Sequence, residues 1–88
     1  AETAATGIVQ LNNGAKQVLT SGKATSLLPV GIIAIKADFL KGDIIKILDE
    51  DEKLIGLGIA KYGSDKANER IGQKNQKPLV HYDYFYAI

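Results

Sequence analysis

Cysteine is absent from this chain of 88 residues, which excludes disulfides, thiolate metal sites and thiol nucleophiles among its own residues. That usage fits a reducing compartment, and a cytoplasmic location is expected. Methionine is absent too, and the chain opens Ala1-Glu2-Thr3-Ala4-Ala5-Thr6, a small-residue lead-in that reads as a linker or an expression remnant over 1–6. Long apolar runs are missing: the longest, Val30 to Ile35, falls far short of the roughly 20 residues that cross a bilayer, so no membrane partner is expected. No basic segment precedes an apolar one at the amino end, which argues against a secretory leader. An excess of one charge is also lacking. Eleven basic residues against ten acidic give +1, too balanced for strong non-specific nucleic-acid binding.

What is present is a dense set of strand signals. Residues 27–36, 43–48 and 53–62 are rich in Ile, Leu and Val. A Phe39-Leu40-Lys41-Gly42-Asp43 turn joins the first two runs, and Asp49-Glu50-Asp51-Glu52 joins the last two, the pattern of a small β-meander. At this length a chain forms one domain and buries about 60–65% of its unfolded surface. The domain is expected over 7–88.

Gly7 to Leu11 reads as a first strand. Asn12 or Asn13 can then cap a helix by accepting from free first-turn N–H groups. Ala15, Val18 and Leu19 follow at i, i+3, i+4 spacing as one buried stripe, with Gly22 as the stop. Pro29 stands at the entry of the second strand. From Val30 to Ile35 both alternating faces are apolar apart from Gly31, which predicts a strand covered on both sides. Gly56 and Gly58 share one face of the fourth strand and mark sharp coiling or close backbone approach. Ser64 is placed to cap a second helix over Asp65 to Ile71, stopped by Gly72. Gln73 to Lys77 is a polar loop, and Leu79 to Tyr86 a last strand. The order β-α-β-β-β-α-β predicts a mainly β, α+β domain with a mostly antiparallel, partly closed sheet.

The candidate chemistry is sparse. The acidic run 49–52 lacks the EF-hand register, because Lys53 and Leu54 fill ligand positions and Ala60 stands at the twelfth, so a solvated hairpin turn is expected. His81, the single histidine, has only Asp83 as an obvious partner on its strand face, and a structural role is expected. Gly56-Leu57-Gly58 lacks the third glycine of a dinucleotide fingerprint, and no phosphate loop is present. No catalytic, cofactor-binding or metal-binding residue is nominated. Tyr82, Tyr84 and Tyr86 would share one face of the last strand, where tyrosines stack bases or, more commonly, pack against a neighbour. Lys61, Lys66, Arg70, Lys74 and Lys77 face only Asp65 and Glu69 between 61 and 77. With Lys16 and Lys23 beside the first helix they could form a modest phosphate-contacting patch. The nucleic-acid candidates are therefore Lys16, Lys23, Lys61, Arg70, Lys74, Lys77 and Tyr82. The plain alternative is ordinary solvated surface.

The ordered pieces Gly14-Ala15, Ser26-Leu27-Leu28-Pro29-Val30-Gly31-Ile32, Asp38-Phe39, Gly42-Asp43, Gly58, Tyr62 to Ser64 and Val80-His81 with Asp83 resemble a PUA domain, a small RNA-binding module. The Ser-Leu-Leu-Pro entry resembles the branch at the carboxyl end of bacterial glutamate 5-kinases. Ala37 replaces the family's usual Gly, the acidic turn lacks its Gly, the second-helix region is short, and Tyr82 and Tyr84 replace commoner Arg and Asn. The resemblance implies a pseudo-barrel of five to six strands with two short helices. It also implies a parent kinase, a homo-oligomer, that phosphorylates L-glutamate with ATP and Mg²⁺ through an amino-acid kinase domain of the same chain. This domain would be accessory and non-catalytic. The alternative is an RNA-binding module of an RNA-modifying enzyme, with structured RNA as partner.

Overall fold

A computed structural model describes residues 5–88. The expected lead-in over 1–6 lies, for residues 1–4, outside the described residues; Thr6 donates its backbone N–H to Ile44 O at 2.9 Å. Five strands form one sheet in the order β2-β1-β3-β4-β5, with β1 Gly7–Leu11, β2 Ile32–Ala37, β3 Ile44–Leu48, β4 Leu54–Ile59 and β5 Phe85–Ala87. Helices α1 (Asn13–Leu19) and α2 (Ser64–Arg70) complete a mainly β, α+β fold. The three central runs are not a simple meander. Strand β1 lies between β2 and β3, antiparallel to the first and parallel to the second. Its Gln10 is buried, and Nε2 donates to Asp49 O and Glu50 O at 3.2 and 3.1 Å, so a polar residue in a central strand is satisfied.

The sheet curls until its two ends meet. Leu27, before β2, pairs with Val80, before β5: Leu27 N–H donates to Val80 O at 2.8 Å, and Leu79 N–H to Leu27 O at 2.9 Å. Inside the closure Val9, Leu11, Leu27, Ile45, Ile47, Leu79 and Val80 are fully buried.

Local signals hold in part. Asn12 caps α1 by accepting the Ala15 N–H at 2.8 Å. In the expected stripe Leu19 is buried, but Val18 is 51% exposed, because seven residues make only two turns and present a narrow face. Gly22 adopts φ +86°, but α1 ends earlier, at Thr20. Pro29–Gly31 forms a 3₁₀ turn ahead of β2. Covering on both sides fails: Val30, in the 3₁₀ turn, is 39% exposed, and Ile33, in β2, is 48% exposed, because one face of β2 lies away from the core. Helix α2 starts at Ser64 with Gly63 as its cap residue. The Ser64 hydroxyl turns inward instead, accepting the Phe39 N–H and donating to Phe39 O, both at 3.1 Å.

The paired glycines of β4 admit close packing. A Cβ at Gly56 would stand 2.5 Å from the Phe85 ring and 2.8 Å from Tyr86 O; one at Gly58 would stand 2.7 Å from Val80 Cγ1. A Cβ at Gly14, in the first turn of α1, meets only Asn12 Oδ1 at 3.5 Å. Gly56→Ala is therefore expected to lose roughly 1–3 kcal/mol by overpacking. Gly14→Ala is expected to gain up to about 1 kcal/mol from helix propensity. Urea unfolding midpoints of the two variants check the opposite signs.

Candidate functional site

The last residues of β4 run on into a cationic corner. Lys61 N–H donates to Leu79 O at 2.8 Å, which fixes the end of this strand against the segment leading to His81. Tyr62 is 8% exposed; its hydroxyl donates to Lys77 O at 2.9 Å, and the Arg70 guanidinium of α2 covers its ring at 4.6 Å from the centroid. Burial pushes the Tyr62 phenol above its ordinary value, and Arg70 opposes this. Lys61 Nζ stands 5.8 Å from the centroid of the Tyr84 ring. Beside Tyr62 lies a pocket of about 310 Å³ lined by Lys61, Tyr62, Lys77, Pro78 and His81.

The expected last strand from Leu79 to Tyr86 is interrupted. Leu79 and Val80 pair with Leu27, Tyr82–Tyr84 forms a 3₁₀ turn, and only Phe85–Ala87 is strand. The His81 Nδ1 caps this turn by accepting the Asp83 N–H at 3.2 Å. His81 and Asp83 therefore meet across a turn, Nδ1 to Oδ2 at 3.6 Å, and not along a strand face. The tyrosines form no common stripe, since Tyr82 and Tyr84 lie in the turn and only Tyr86 in β5. The ring of Tyr82 lies against His81, centroids 4.2 Å apart.

The structure divides the nucleic-acid candidates. Lys61, Arg70 and Lys77 gather around Tyr62. Lys23 and Tyr82 line a separate groove with Phe85 and Ala87. Lys74 is exposed on the loop after α2. Lys16 is engaged elsewhere, its Nζ 3.0 Å from Asp49 Oδ2.

Asp49 itself overturns the expectation of a wholly solvated acidic turn. Its side chain is 2% exposed, and Oδ1 accepts the Lys53 and Asp51 N–H groups, both at 2.9 Å. Those bonds compensate the burial of the carboxylate. The Lys53 N–H, then the Lys16 ammonium, hold its carboxyl below the ordinary value against burial. The sequence signal for this role was the turn position itself, an Asp able to bond its own backbone two and four residues on. Among the described residues no three His, Asp or Glu side chains gather in a metal-holding group, and no helix is long and apolar enough to cross a membrane.

With this geometry in place, the PUA domain family matches residues 7–82. The chain belongs to the PUA domain family. A glutamate 5-kinase of Chlorobaculum tepidum is 49% identical over 83 residues, which cover 93% of this chain and 23% of that enzyme. The chain thus spans about a quarter of the length of the curated relatives it matches. Its sequence corresponds to the carboxyl-terminal PUA region of those kinases. A PUA domain from Aeropyrum pernix superposes with a TM-score of 0.77 at 23% identity, covering 86% of this chain and 41% of that one. A chain of an H/ACA RNP bound to a substrate RNA superposes with a TM-score of 0.69 at 21% identity, covering 92% of this chain and 23% of that one. At these identities the two superpositions show the fold. Several motif residues of the PUA resemblance now have physical roles: Ser64 clamps Phe39, Tyr62 holds the loop at Lys77, and Gly58 admits Val80.

Asp49 generates a pH prediction. A carboxyl held below 3.8 in the folded state contributes stability that is present above that value and lost as pH falls through the lower, folded-state value. Asp49→Asn is expected to be less stable than the wild type near neutral pH and to show a flatter decline in acid. Urea midpoints followed from about pH 6 to about pH 2.5 check both.

Proposed function

We propose that this chain serves as the accessory PUA domain of a glutamate 5-kinase, a cytoplasmic homo-oligomer that catalyses the first step of proline synthesis. The observation that carries the reading is the 49% identity over 93% of the chain to the corresponding part of such an enzyme. Phosphoryl transfer from ATP, with Mg²⁺, to the γ-carboxyl of L-glutamate would belong to an amino-acid kinase domain elsewhere in the longer protein. The residues here do not fit a nucleotide-phosphate cradle of the glycine-loop type: Gly56 and Gly58 lie inside β4, with Phe85 and Val80 packed where a phosphate would have to approach. The domain's contribution is contact with its catalytic neighbour, tuning assembly or response. Deleting it from the full-length kinase should change at least one of kcat/KM for glutamate, inhibition by proline, or oligomer size; three unchanged values would contradict the reading.

A second reading, binding of structured RNA, is favoured by Lys61, Arg70 and Lys77 converging around Tyr62. Phosphate contacts make affinity fall steeply with salt. Titration of a transfer RNA at about 50 and about 200 mM salt tests it: binding at the lower salt that collapses at the higher supports the reading, and no binding at the lower salt ends it.

A further inference from the structure

The outer face of the sheet is apolar, where the solvated face of a sheet is ordinarily polar. Side chains alternate across each strand, so the residues between the buried Val9, Ile45, Ile47 and Gly58 belong to the opposite face. Pairing sets Ile8, Lys46, Leu57 and Tyr86 side by side in one row across β1, β3, β4 and β5. Ile44 and Ile59 are neighbours in the next row. Four strands spaced by roughly 4.8 Å make the first row about 15 Å wide. Of these six residues only Lys46 is charged. Ile8, Leu57 and Ile59 are half-buried, and Ile44 is 36% exposed. The helices are engaged elsewhere: Ala15 of α1 lies against Gly31, and α2 packs on the Pro29–Gly31 turn.

We propose that this face docks on an apolar surface of the catalytic portion of the longer kinase. This rests on the kinase reading above, which supplies the occupant. Two observations choose it. The chain covers 23% of the Chlorobaculum tepidum enzyme and corresponds to its carboxyl-terminal region, so most of that enzyme precedes the matched part. The polypeptide entering β1 also passes this face: Thr6 donates its N–H to Ile44 O at 2.9 Å and its hydroxyl to Asp43 Oδ2 at 3.0 Å. A preceding domain is thereby tethered beside Ile44 and Ile59. Short tethers give effective concentrations on the order of millimolar, so a modest apolar contact suffices to hold the two together.

The chemistry of the face describes the surface it meets. Contiguous apolar side chains call for apolar side chains opposite them. Lys46, amid apolar neighbours, calls for a carboxylate on the docking surface, because a covered ammonium needs a partner. A phosphate chain, which binds through many cations, does not suit five uncharged residues around one lysine.

The test is hydroxyl-radical footprinting of the 88-residue chain and of the full-length protein, read by mass spectrometry. Tyr82 and Tyr86 are 45% and 55% exposed, so the 88-residue chain should oxidise at both with similar rates. In the full-length protein Tyr86 should react about fivefold or more slowly, as a side chain in a dry interface does, with Tyr82 unchanged. Ile44→Lys in the full-length protein should return Tyr86 to its rate in the 88-residue chain. Should that variant misfold, Ile44→Thr, which keeps the β-branched shape and adds a hydroxyl, carries the comparison. Tyr86 protection that persists in the Ile44 variants would overturn the proposal. So would protection in the 88-residue chain that grows with concentration, which would assign the face to a second copy. Glutamate phosphorylation by the same full-length preparation separates the two readings. Equal Tyr86 rates in an active kinase would overturn the docking alone, whereas a protected Tyr86 in a protein that does not phosphorylate glutamate would overturn the kinase reading and the occupant named here.

Discussion

Leu79 and Val80 hold the two ends of the curled sheet together, and the geometry of the cationic corner depends on that closure. Leu79 uses both backbone groups across chain segments: its N–H reaches Leu27 O, and its carbonyl accepts the Lys61 N–H. Val80 accepts the Leu27 N–H, while its side chain fills the space that Gly58 leaves free. Three distant stretches are tied at one buried point. An unpaired backbone group there would carry a desolvation cost of about 1–3 kcal/mol, so the closure is strongly specified. A 3₁₀ turn leaves it directly, and the His81 side chain caps that turn.

Opposite the closure, Asp49 organises the β3–β4 turn in a comparable way. Its carboxylate binds two backbone N–H groups of its own turn and the Lys16 ammonium of α1. Its carbonyl accepts from Gln10 of β1. One acidic side chain thus joins a turn to a helix, and the carbonyl of the same residue joins that turn to the central strand. A lysine that charge counting offers to a phosphate is already used inside the domain. The basic residues Lys61, Arg70 and Lys77 stand near Tyr62, apart from Lys23 in its own groove.

Much of this was legible in the residues because it is local. The bounds of β1, an Asn cap at 12 or 13 and the close approach at Gly56 and Gly58 follow from short-range chemistry, and the ordered PUA motif residues set the fold class. Other features were not legible, for identifiable reasons. Nothing local tells β1 to enter between β2 and β3, since parallel pairing with β3 is decided by contacts tens of residues apart. His81-Tyr82-Asp83-Tyr84-Phe85-Tyr86 alternates like a strand, but the His81 cap on the Asp83 N–H turns the chain at the place where the alternation suggests continuity. Ser64 satisfied the pattern of a helix cap while its hydroxyl was committed to Phe39. The partition of the basic residues into a corner, a groove and an ion pair depends on the curl of the sheet, which only the three-dimensional structure supplies.

Native-state hydrogen exchange tests the role of the closure most directly. If Leu27 and Leu79 lock the barrel, their amide protons should exchange only through global unfolding, with the same opening free energy as Val9 and Ile47 in the central strands. Exchange of Leu27 and Leu79 through a much cheaper local opening, while Val9 and Ile47 stay protected, would show that the sheet stands without its seam and would contradict the account.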